Sequence, residues 1–266
     1  MLHLMLDAYG CESERQNDLK SVYEIIYKVI NSLSVKAVMP PMLVPYYYGS
    51  VKEDDGISAF VILKGGHFTI HTFPARECYF VDLLYDGFVS EDKFVSVLKT
   101  ELPFTDVFIK TADRRFSIED QCKLESIDSQ TDFGPHYLIR TTQSCDLTME
   151  KIFHFLDELP SEINMDPIQR PLVITDRVKD YEIISGVTVI AQSHIAVHYY
   201  VKERKAYIDI FSCSFINCDG IIDAVTEKLG IDCESVLISR GSKHTKKLTQ
   251  RSELISRYDT WKENTK

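Results

Sequence analysis

Residues 58–86, SAFVILKGGHFTIHTFPARECYFVDLLYD, decide the fold because the same pattern returns later in the chain. Residues 185–213 read SGVTVIAQSHIAVHYYVKERKAYIDIFSC and align with the first stretch without a gap, at an offset of 127. Apolar positions agree along the alignment, and four of the 29 positions are identical. The identical pairs are Ser58 and Ser185, His67 and His194, His71 and His198, and Asp82 and Asp209. The chain is therefore predicted to be a tandem repeat.

The segments before the two stretches also correspond. Residues 3–6 (HLML) open the first copy, and residues 136–139 (HYLI) open the second. A helix is predicted after each opening, because apolar residues recur there at spacings of three and four. These residues are Leu19, Val22, Tyr23, Ile26, Val29, Ile30 and Leu33 in the first copy, and Met149, Ile152, Phe153, Leu156 and Leu159 in the second.

Each copy is predicted to end with a second helix. One spans about residues 90–102 with Ser90 as its N-cap, and the other about 219–229 with Gly230 as its C-terminal stop. The segments between the helices are rich in β-branched and aromatic residues, which favours strands. In the first copy the predicted strands are 57–64, 67–73 and 78–85.

The order strand, helix, strands, helix predicts an α+β fold in which helices cover one face of an antiparallel sheet. Two copies are predicted to associate as a pseudo-dimer, which makes a four-layer αββα sandwich. The predicted divisions are an N-terminal repeat (1–110), a polar linker without clear periodicity (111–132) and a C-terminal repeat (133–266).

Composition argues against several classes of protein. The net charge of −10 disfavours a nucleic-acid or anionic-membrane surface as the main partner. Apolar content of 44%, without any run near the ~18 apolar residues of a membrane span, predicts a soluble protein, expected in the cytoplasm. The seven cysteines form no CxxC pair, which favours neither a zinc site nor a disulfide framework. A solvated basic tail is expected from Arg240, Lys243, Lys246, Lys247 and Arg251.

Both copies contain an HxxxH pattern, at His67 and His71 and at His194 and His198. On a helix this spacing can bind one metal ion. The intervening residues Phe-Thr-Ile and Ile-Ala-Val favour a strand instead, where positions four apart lie roughly 13 Å from each other. Ligands of one ion need bonds of about 2 Å, so no metal site is predicted.

The two copies differ where chemistry is possible. The position before the first histidine is Gly66 in copy one and Ser193 in copy two, and the third strand is followed by Asp86 in copy one and Cys213 in copy two. A hydroxyl and a thiol near histidines can act as nucleophile and proton donor. The same two residues are also compatible with a buried serine and a small apolar cysteine that have no catalytic role.

The sequence resembles the bacterial and archaeal S-adenosylmethionine decarboxylases over nearly its whole length. Their characteristic run is Glu-Ser-His, a variable pair, Ile-His-Thr-Trp-Pro-Glu, and downstream an Asp, an apolar pair, Thr and Cys. Copy two has QSHIAVH at residues 192–198 and DIFSC at 209–213, whereas copy one has GHFTIHTFP at 66–74. The opening HLMLDAYGC, residues 3–11, is similar to the first strand of the family.

The resemblance implies a self-processing enzyme with one active site per fused chain. Ser193 would attack the Gln192 carbonyl, and cleavage would leave a pyruvoyl cofactor at position 193 that forms a Schiff base with the α-amine of a small substrate. It further implies Cys213 as the proton donor, and Ser58 and His71 as partners contributed by copy one. Ser185 and His198 are secondary candidates. The implied reaction is decarboxylation of S-adenosylmethionine for polyamine synthesis, and homo-oligomerisation stays open.

Two positions depart from the family pattern. The glutamate before the nucleophile is Gln192, and the glutamate that holds the substrate ribose is Ala75, with Glu77 two residues further on. Alanine cannot accept hydrogen bonds from ribose hydroxyls. Residues 46–48, three tyrosines, could stack on adenine or on a sulfonium, or be ordinary strand or surface residues. Alternatives are therefore a pyruvoyl-dependent decarboxylase of ornithine or arginine, and a non-processing relative with a binding or regulatory role.

Overall fold

The computed structural model describes residues 1–118, 121, 132–178, 181–191, 193–213 and 220–242. The first half of the chain forms six strands and three α-helices. They are β1 (Leu2–Tyr9), α1 (Ser13–Gln16), α2 (Leu19–Leu33), β2 (Met42–Tyr46), β3 (Gly56–Leu63), β4 (Gly66–Phe73), β5 (Cys78–Tyr85), α3 (Glu91–Glu101) and β6 (Asp106–Asp113).

The second half repeats this order, without a counterpart of the short α1 among its described residues. Its elements are β7 (Asp132–Thr141), α4 (Met149–Glu162), β8 (Leu172–Val178), β9 (Tyr181–Ile190), β10 (Ser193–Tyr200), β11 (Lys205–Phe211), α5 (Ile221–Leu229) and β12 (Cys233–Ser242). No helix in the described part of the chain is long and apolar enough to cross a membrane.

The two sheets have the same topology. The first has the strand order β2-β3-β4-β5-β1-β6, and the second has the order β8-β9-β10-β11-β7-β12. All neighbours are antiparallel, and equivalent residues face each other, since His3 lies opposite Leu84 and His136 lies opposite Phe211. The strand positions therefore confirm the tandem repeat at the level of register.

Four layers result from the alternation of side chains along the strands. Outward-facing residues of the first sheet, such as Ala59 and Val61, form one apolar core with α2 and α3. Outward-facing residues of the second sheet, such as Ile195 and Val197, form another core with α4 and α5. The inner faces of the two sheets meet each other in smaller mixed clusters. The predicted αββα sandwich is confirmed.

The helices bury somewhat different residues from those predicted. In α2, capped by Asp18, Leu19 is 47% and Tyr23 40% exposed, and Ile25 is buried. Leu19 lies in the first turn and Tyr23 at the border of the apolar stripe, so neither reaches the sheet. In α4 Phe155 is buried, whereas Met149 is 37% exposed.

Each repeat ends with a strand, not with a helix as the sequence suggested. The helix α3 is capped by Ser90 as predicted, and α5 ends at Gly230 in the left-handed conformation. The strands β6 and β12 follow them and pair with β1 and β7. Strand β6 extends to Asp113, so it includes the first three residues of the segment expected to be a linker. Most of that segment lies outside the described residues.

Candidate active site

Ser193 is the first residue of β10 and lies opposite Ile190 at the tip of the β9–β10 hairpin. Its side chain is buried, and its Oγ accepts a hydrogen bond of 2.7 Å from the backbone N–H of Cys213. The hydroxyl is thus held in a fixed place next to its own N-terminal peptide bond. Gln192, on the other side of that bond, lies outside the described residues.

Cys213 follows β11 and is 9% exposed. Its Sγ donates to the carbonyl oxygen of Ala191 at 3.3 Å, which places the thiol beside the hairpin that carries Ser193. The thiol also belongs to a cluster of aromatic side chains from both sheets, and those rings limit the access of water. The aromatic members are Tyr9, Phe73, Phe80, Phe133 and Phe211.

Ser58 and His71 lie opposite each other on β3 and β4 of the first sheet. The Ser58 Oγ is 2.8 Å from His71 Nδ1, and His71 Nε2 is 2.9 Å from Nδ1 of His194 on the second sheet. Since His194 directly follows Ser193, this chain of hydrogen bonds connects repeat one with the residue beside the candidate nucleophile. The His71 ring also lies 5.6 Å from that of Phe211, two residues before Cys213.

Ser185 and His198 form the same arrangement in the opposite direction. His198 Nδ1 is 2.9 Å from Ser185 Oγ, and His198 Nε2 is 2.8 Å from Nδ1 of His67. The two chains are related by the pseudo-twofold axis between the repeats. The second chain therefore leads to the residue after Gly66, not to Ser193. This symmetry accounts for the presence of Ser185 and His198 in copy two.

The four histidines of these two hydrogen-bonded chains are buried and uncharged at neutral pH. Burial lowers the pKa of His194 and of His198 to about 4, and burial together with neighbouring histidines holds the pKa values of His67 and His71 well below the usual range. At neutral pH each ring consequently carries one proton, so one nitrogen donates and the other accepts.

Repeat one has no room for a nucleophile at the position equivalent to Ser193. A Cβ atom on Gly66 would lie 1.9 Å from the carbonyl oxygen of Leu84. The preceding Gly65 adopts a φ of +73° and accepts a hydrogen bond of 2.9 Å from the Tyr200 hydroxyl. A serine at position 66 would require the backbone of β5 to move. The Gly66 position of repeat one and the Ser193 position of repeat two therefore differ in the space that they offer a side chain.

Two buried arginines cross between the repeats and pair with three buried aspartates. Arg114 donates to Asp209 and to backbone carbonyls of repeat two, and Arg240 donates to Asp82 at 2.6 Å and to Asp7 at 2.8 Å. The expectation of a solvated basic tail was wrong for Arg240, which is fully buried in β12 because the buried Asp82 needs a partner. The tail residues beyond it lie outside the described residues.

Sequence reasoning missed these arginines, although one signal was available. Asp82 and Asp209 are one of the four identical pairs, and a buried carboxylate needs a cation. Arg114 and Arg240 lie in corresponding places, each two residues beyond the position that pairs with His3 or His136. Both had been assigned to irregular segments, the linker and the tail, so their equivalence was hidden.

A family model described as S-adenosylmethionine decarboxylase matches residues 2–115 and 145–241. These two blocks correspond to the two structural repeats and cover most of the chain. The chain belongs to the S-adenosylmethionine decarboxylase family. Members of this family are decarboxylases, and the fused tandem form agrees with the two halves described above.

Curated relatives within the family are much shorter than this chain. An S-adenosylmethionine decarboxylase proenzyme of Clostridium botulinum (strain Langeland) is 27% identical over 109 residues, which is 41% of this chain and 88% of the relative. A proenzyme of the same name from Geobacillus sp. (strain WCH70) is 30% identical over 59 residues, 22% of this chain and 48% of the relative. The Clostridium relative therefore matches about one repeat.

Solved structures show more distant likenesses. The adenosylmethionine decarboxylase of Aquifex aeolicus VF5 aligns with a TM-score of 0.36 and 18% identity, covering 42% of this chain and 87% of its own. A protein of unknown function from Galdieria sulphuraria aligns with a TM-score of 0.21 and 8% identity, covering 89% of this chain and 97% of its own.

S-adenosylmethionine decarboxylases carry a pyruvoyl group, and Ser193 fits its formation. The Ser193 hydroxyl already accepts from the N–H of Cys213, so a lone pair is used and the O–H can point elsewhere. Cys213 and the aromatic cluster around it would hold the group away from bulk water. Gly66, the equivalent residue of repeat one, has no side chain from which such a group could form.

Within the described part of the chain, one group of side chains has the spacing of a metal site. His3, His136 and Asp209 are buried, and each offers a ligand atom within 4.8 Å of the others. However, Arg114 donates to His3 Nδ1 at 3.1 Å and Arg240 donates to His136 Nδ1 at 3.0 Å. Arginine cannot accept a hydrogen bond, so the proton of each neutral imidazole is on Nε2. His3 Nε2 lies 3.6 Å from Asp82 Oδ1 and His136 Nε2 lies 3.8 Å from Asp209 Oδ1, and with a proton on each neither nitrogen has a lone pair for a cation.

Two tyrosines of repeat one lie near the candidate site. The Tyr46 and Tyr48 rings have centroids 4.5 Å apart. Burial raises the pKa of the Tyr46 phenol, and nearby Tyr48, Asp166 and Cys213 raise it further. The aromatic pair is therefore a neighbour of Cys213. Ala75 itself is exposed, and Arg76 beside it pairs with Asp54 at 2.8 Å.

Proposed function

We propose that this chain is a self-processing, pyruvoyl-dependent S-adenosylmethionine decarboxylase. The observation that carries the proposal is the buried Ser193 hydroxyl at the tip of the β9–β10 hairpin, fixed by the N–H of Cys213. Family membership supports the decarboxylase class. The second repeat alone carries both a hydroxyl and a thiol at these positions, so we assign one site to each chain.

Self-cleavage begins at the bond between Gln192 and Ser193. The Ser193 Oγ attacks the Gln192 carbonyl carbon, the amide bond breaks, and an ester with a free α-amine results. A base then removes the Ser193 Cα proton, and the Oγ leaves with Gln192 as a carboxylate. Tautomerisation and hydrolysis release ammonia and leave a ketone at position 193. His71 is the proposed base, because it is neutral and hydrogen-bonded between Ser58 and His194.

The mature site needs a proton donor as well as an electron sink. The pyruvoyl ketone supplies the sink when the α-amino acid substrate loses carbon dioxide. Cys213 is the proposed donor that returns a proton to the α-carbon, since its thiol lies beside the hairpin of Ser193. The aromatic residues around Cys213 keep water from returning that proton at the wrong place.

The substrate assignment depends on both the family and the tyrosine pair. Tyr46 and Tyr48 offer ring faces to an adenine or a sulfonium cation near Cys213. The exposed Ala75 favours a second candidate, a decarboxylase of ornithine or arginine, because such substrates have no ribose that requires a carboxylate. Asp166 and Asp55 near Tyr46 suit the positive charge of either substrate class.

Denaturing mass spectrometry of purified protein tests the cleavage. We expect a 1–192 piece and a 193–266 piece whose amino end is blocked. Ser193→Ala should remain one chain, because a methyl group cannot attack a carbonyl. Cys213→Ala should cleave but lose turnover. Wild-type protein that stays intact after long incubation would remove the proposal and leave the non-processing alternative.

Release of carbon dioxide from carboxyl-labelled substrates separates the two substrate classes. S-adenosylmethionine, ornithine and arginine are compared at equal concentration with the processed enzyme, and Ser193→Ala serves as the blank. We expect S-adenosylmethionine to be turned over at least about a hundredfold faster, about 3 kcal/mol in transition-state binding. Faster release from ornithine or arginine would transfer the assignment to the second candidate.

A further inference from the structure

We propose that His194 is a positioning residue for His71, and that the two histidines with Ser58 form one buried relay that self-cleavage requires. The inference rests on the proposed function, because self-cleavage is the reaction that the relay serves. His194 does not contact the scissile bond in this role. It determines where His71 lies and which of its nitrogens holds the proton.

The geometry leaves His71 little freedom. Its Nδ1 is 2.8 Å from Ser58 Oγ and its Nε2 is 2.9 Å from His194 Nδ1, with the two imidazole planes 12° apart. A neutral imidazole has two tautomers, and because both nitrogens are engaged in a buried ring, the proton faces either Ser58 or His194. The contact with His194 selects between them, as an orienting partner does for a catalytic histidine.

Strand alternation makes this contact separable from the nucleophile. Ser193 and His194 are successive residues of β10, so their side chains point to opposite faces of the sheet. His194 points into the space between the sheets, where it contacts His71, whereas Ser193 is held by the N–H of Cys213. A substitution at His194 therefore removes the partner of His71 and leaves the hydrogen bond between Ser193 and the N–H of Cys213 in place.

The pseudo-symmetry supplies a matched control within the same chain. His67 contacts His198 at 2.8 Å in the way that His194 contacts His71, and it is equally buried. His67, however, follows Gly66, where no nucleophile exists. The same change at His67 perturbs the interior similarly and removes neither hydrogen bond of the relay of Ser58, His71 and His194, and a phenylalanine ring keeps the edge contact with His194, 5.3 Å between centroids.

The charged and titratable groups around His71 predict a pH effect as well. After burial, His194 is the next cause that lowers the pKa of His71, while Asp82 raises it and Arg240 lowers it. A neutral amide at position 194 removes that lowering, so His71 takes up a proton at higher pH than before. The acid limb of the self-cleavage rate should then move to higher pH.

Three variants test the relay by their rate and stage of self-cleavage. His194→Phe keeps a ring but no hydrogen bond, and we expect elimination to be about 10²-fold slower. The ester between Gln192 and Ser193 should then accumulate and be cleaved by added hydroxylamine. His194→Asn keeps a polar group at the Nδ1 position and should return to within about tenfold of wild type, with the shifted acid limb. His67→Phe should cleave within about threefold of wild type and show no shift.

Equal self-cleavage rates for His194→Phe and His67→Phe would overturn the inference. This holds whether both variants cleave like the wild type or both are slowed, because equal slowing indicates a general effect on folding. If His194→Phe does not fold, as judged by thermal unfolding, the pH profile of His194→Asn decides. An unshifted acid limb there would overturn the inference. Failure of the wild type to cleave is a different result, which removes the proposed function and this relay together.

Discussion

Replacement of Arg240 by methionine should destabilise the protein strongly. The change keeps the aliphatic stem and removes the guanidinium that binds Asp82 and Asp7, whose side chains are 0% and 7% exposed. Both carboxylates then lose a charged partner in the interior. Removing one member of a buried ion pair costs about 3–5 kcal/mol. At roughly 2–4 °C per kcal/mol for a chain near this size, the thermal midpoint should fall by about 10 °C.

The measurement uses calorimetry on a Ser193→Ala background, so that one intact chain unfolds. Arg177→Met is the control, because the Arg177–Glu182 pair is 74% and 35% exposed and should cost less than about 1 kcal/mol. Asp82→Asn added to Arg240→Met should recover part of the loss, since it removes one uncompensated charge. An Arg240→Met midpoint no lower than that of Arg177→Met would refute the reasoning about buried charge.

Three further predictions concern pH, space and substrate. The pKa values of His194 and His198 are about 4 in the folded protein and 6.5 in the unfolded chain, so the unfolded chain takes up protons first on acidification. The free energy of unfolding should therefore be constant above about pH 6.5 and fall towards pH 4, and a thermal midpoint unchanged between pH 7 and pH 5 would contradict this. Gly66→Ser should lower the free energy of unfolding by about 1–3 kcal/mol through the clash with the Leu84 carbonyl oxygen, measured by calorimetry, and mass spectrometry should show no second cleavage. Unchanged stability would show that the backbone of β5 can move without cost. Tyr48→Ala should raise the KM for S-adenosylmethionine about fivefold at an unchanged self-cleavage rate, by loss of a ring worth about 1 kcal/mol. An unaltered KM would remove the tyrosine pair from the binding site.

The repeat and its central strands could be predicted from the sequence because local pattern and internal identity agreed. The strand β5 was predicted with its observed bounds, and the HxxxH segments are strands as argued from their β-branched residues. The strands β6 and β12 were missed. Both lie after helices that seemed to close each repeat, and their pairing with β1 and β7 depends on partners distant in sequence.

The candidate site was accessible to sequence reasoning in its proposed members but not in its connections. Ser193 and Cys213 could be named from differences between the copies, and Ser58 and His71 from the family resemblance, while the roles of all four stay predictions. The contacts of His71 with His194 and of His67 with His198 could not, because they cross between sheets whose relative position no local pattern fixes. Likewise, the hydrogen bond from the Tyr200 hydroxyl to the Gly65 carbonyl could not be predicted, because it depends on how the two repeats pack against each other.

The strand order of the second sheet has a consequence for a chain cut between residues 192 and 193. Strands β10, β11 and β12 would belong to the short piece, and β7, β8 and β9 to the long one. In the sheet, β7 lies between β12 and β11, and β10 lies against β9, so the two polypeptides are interleaved. Separation would break three ladders of backbone hydrogen bonds at once. The severed enzyme would thus migrate as one particle under native conditions, with two new chain ends at a hairpin tip and neither polypeptide released.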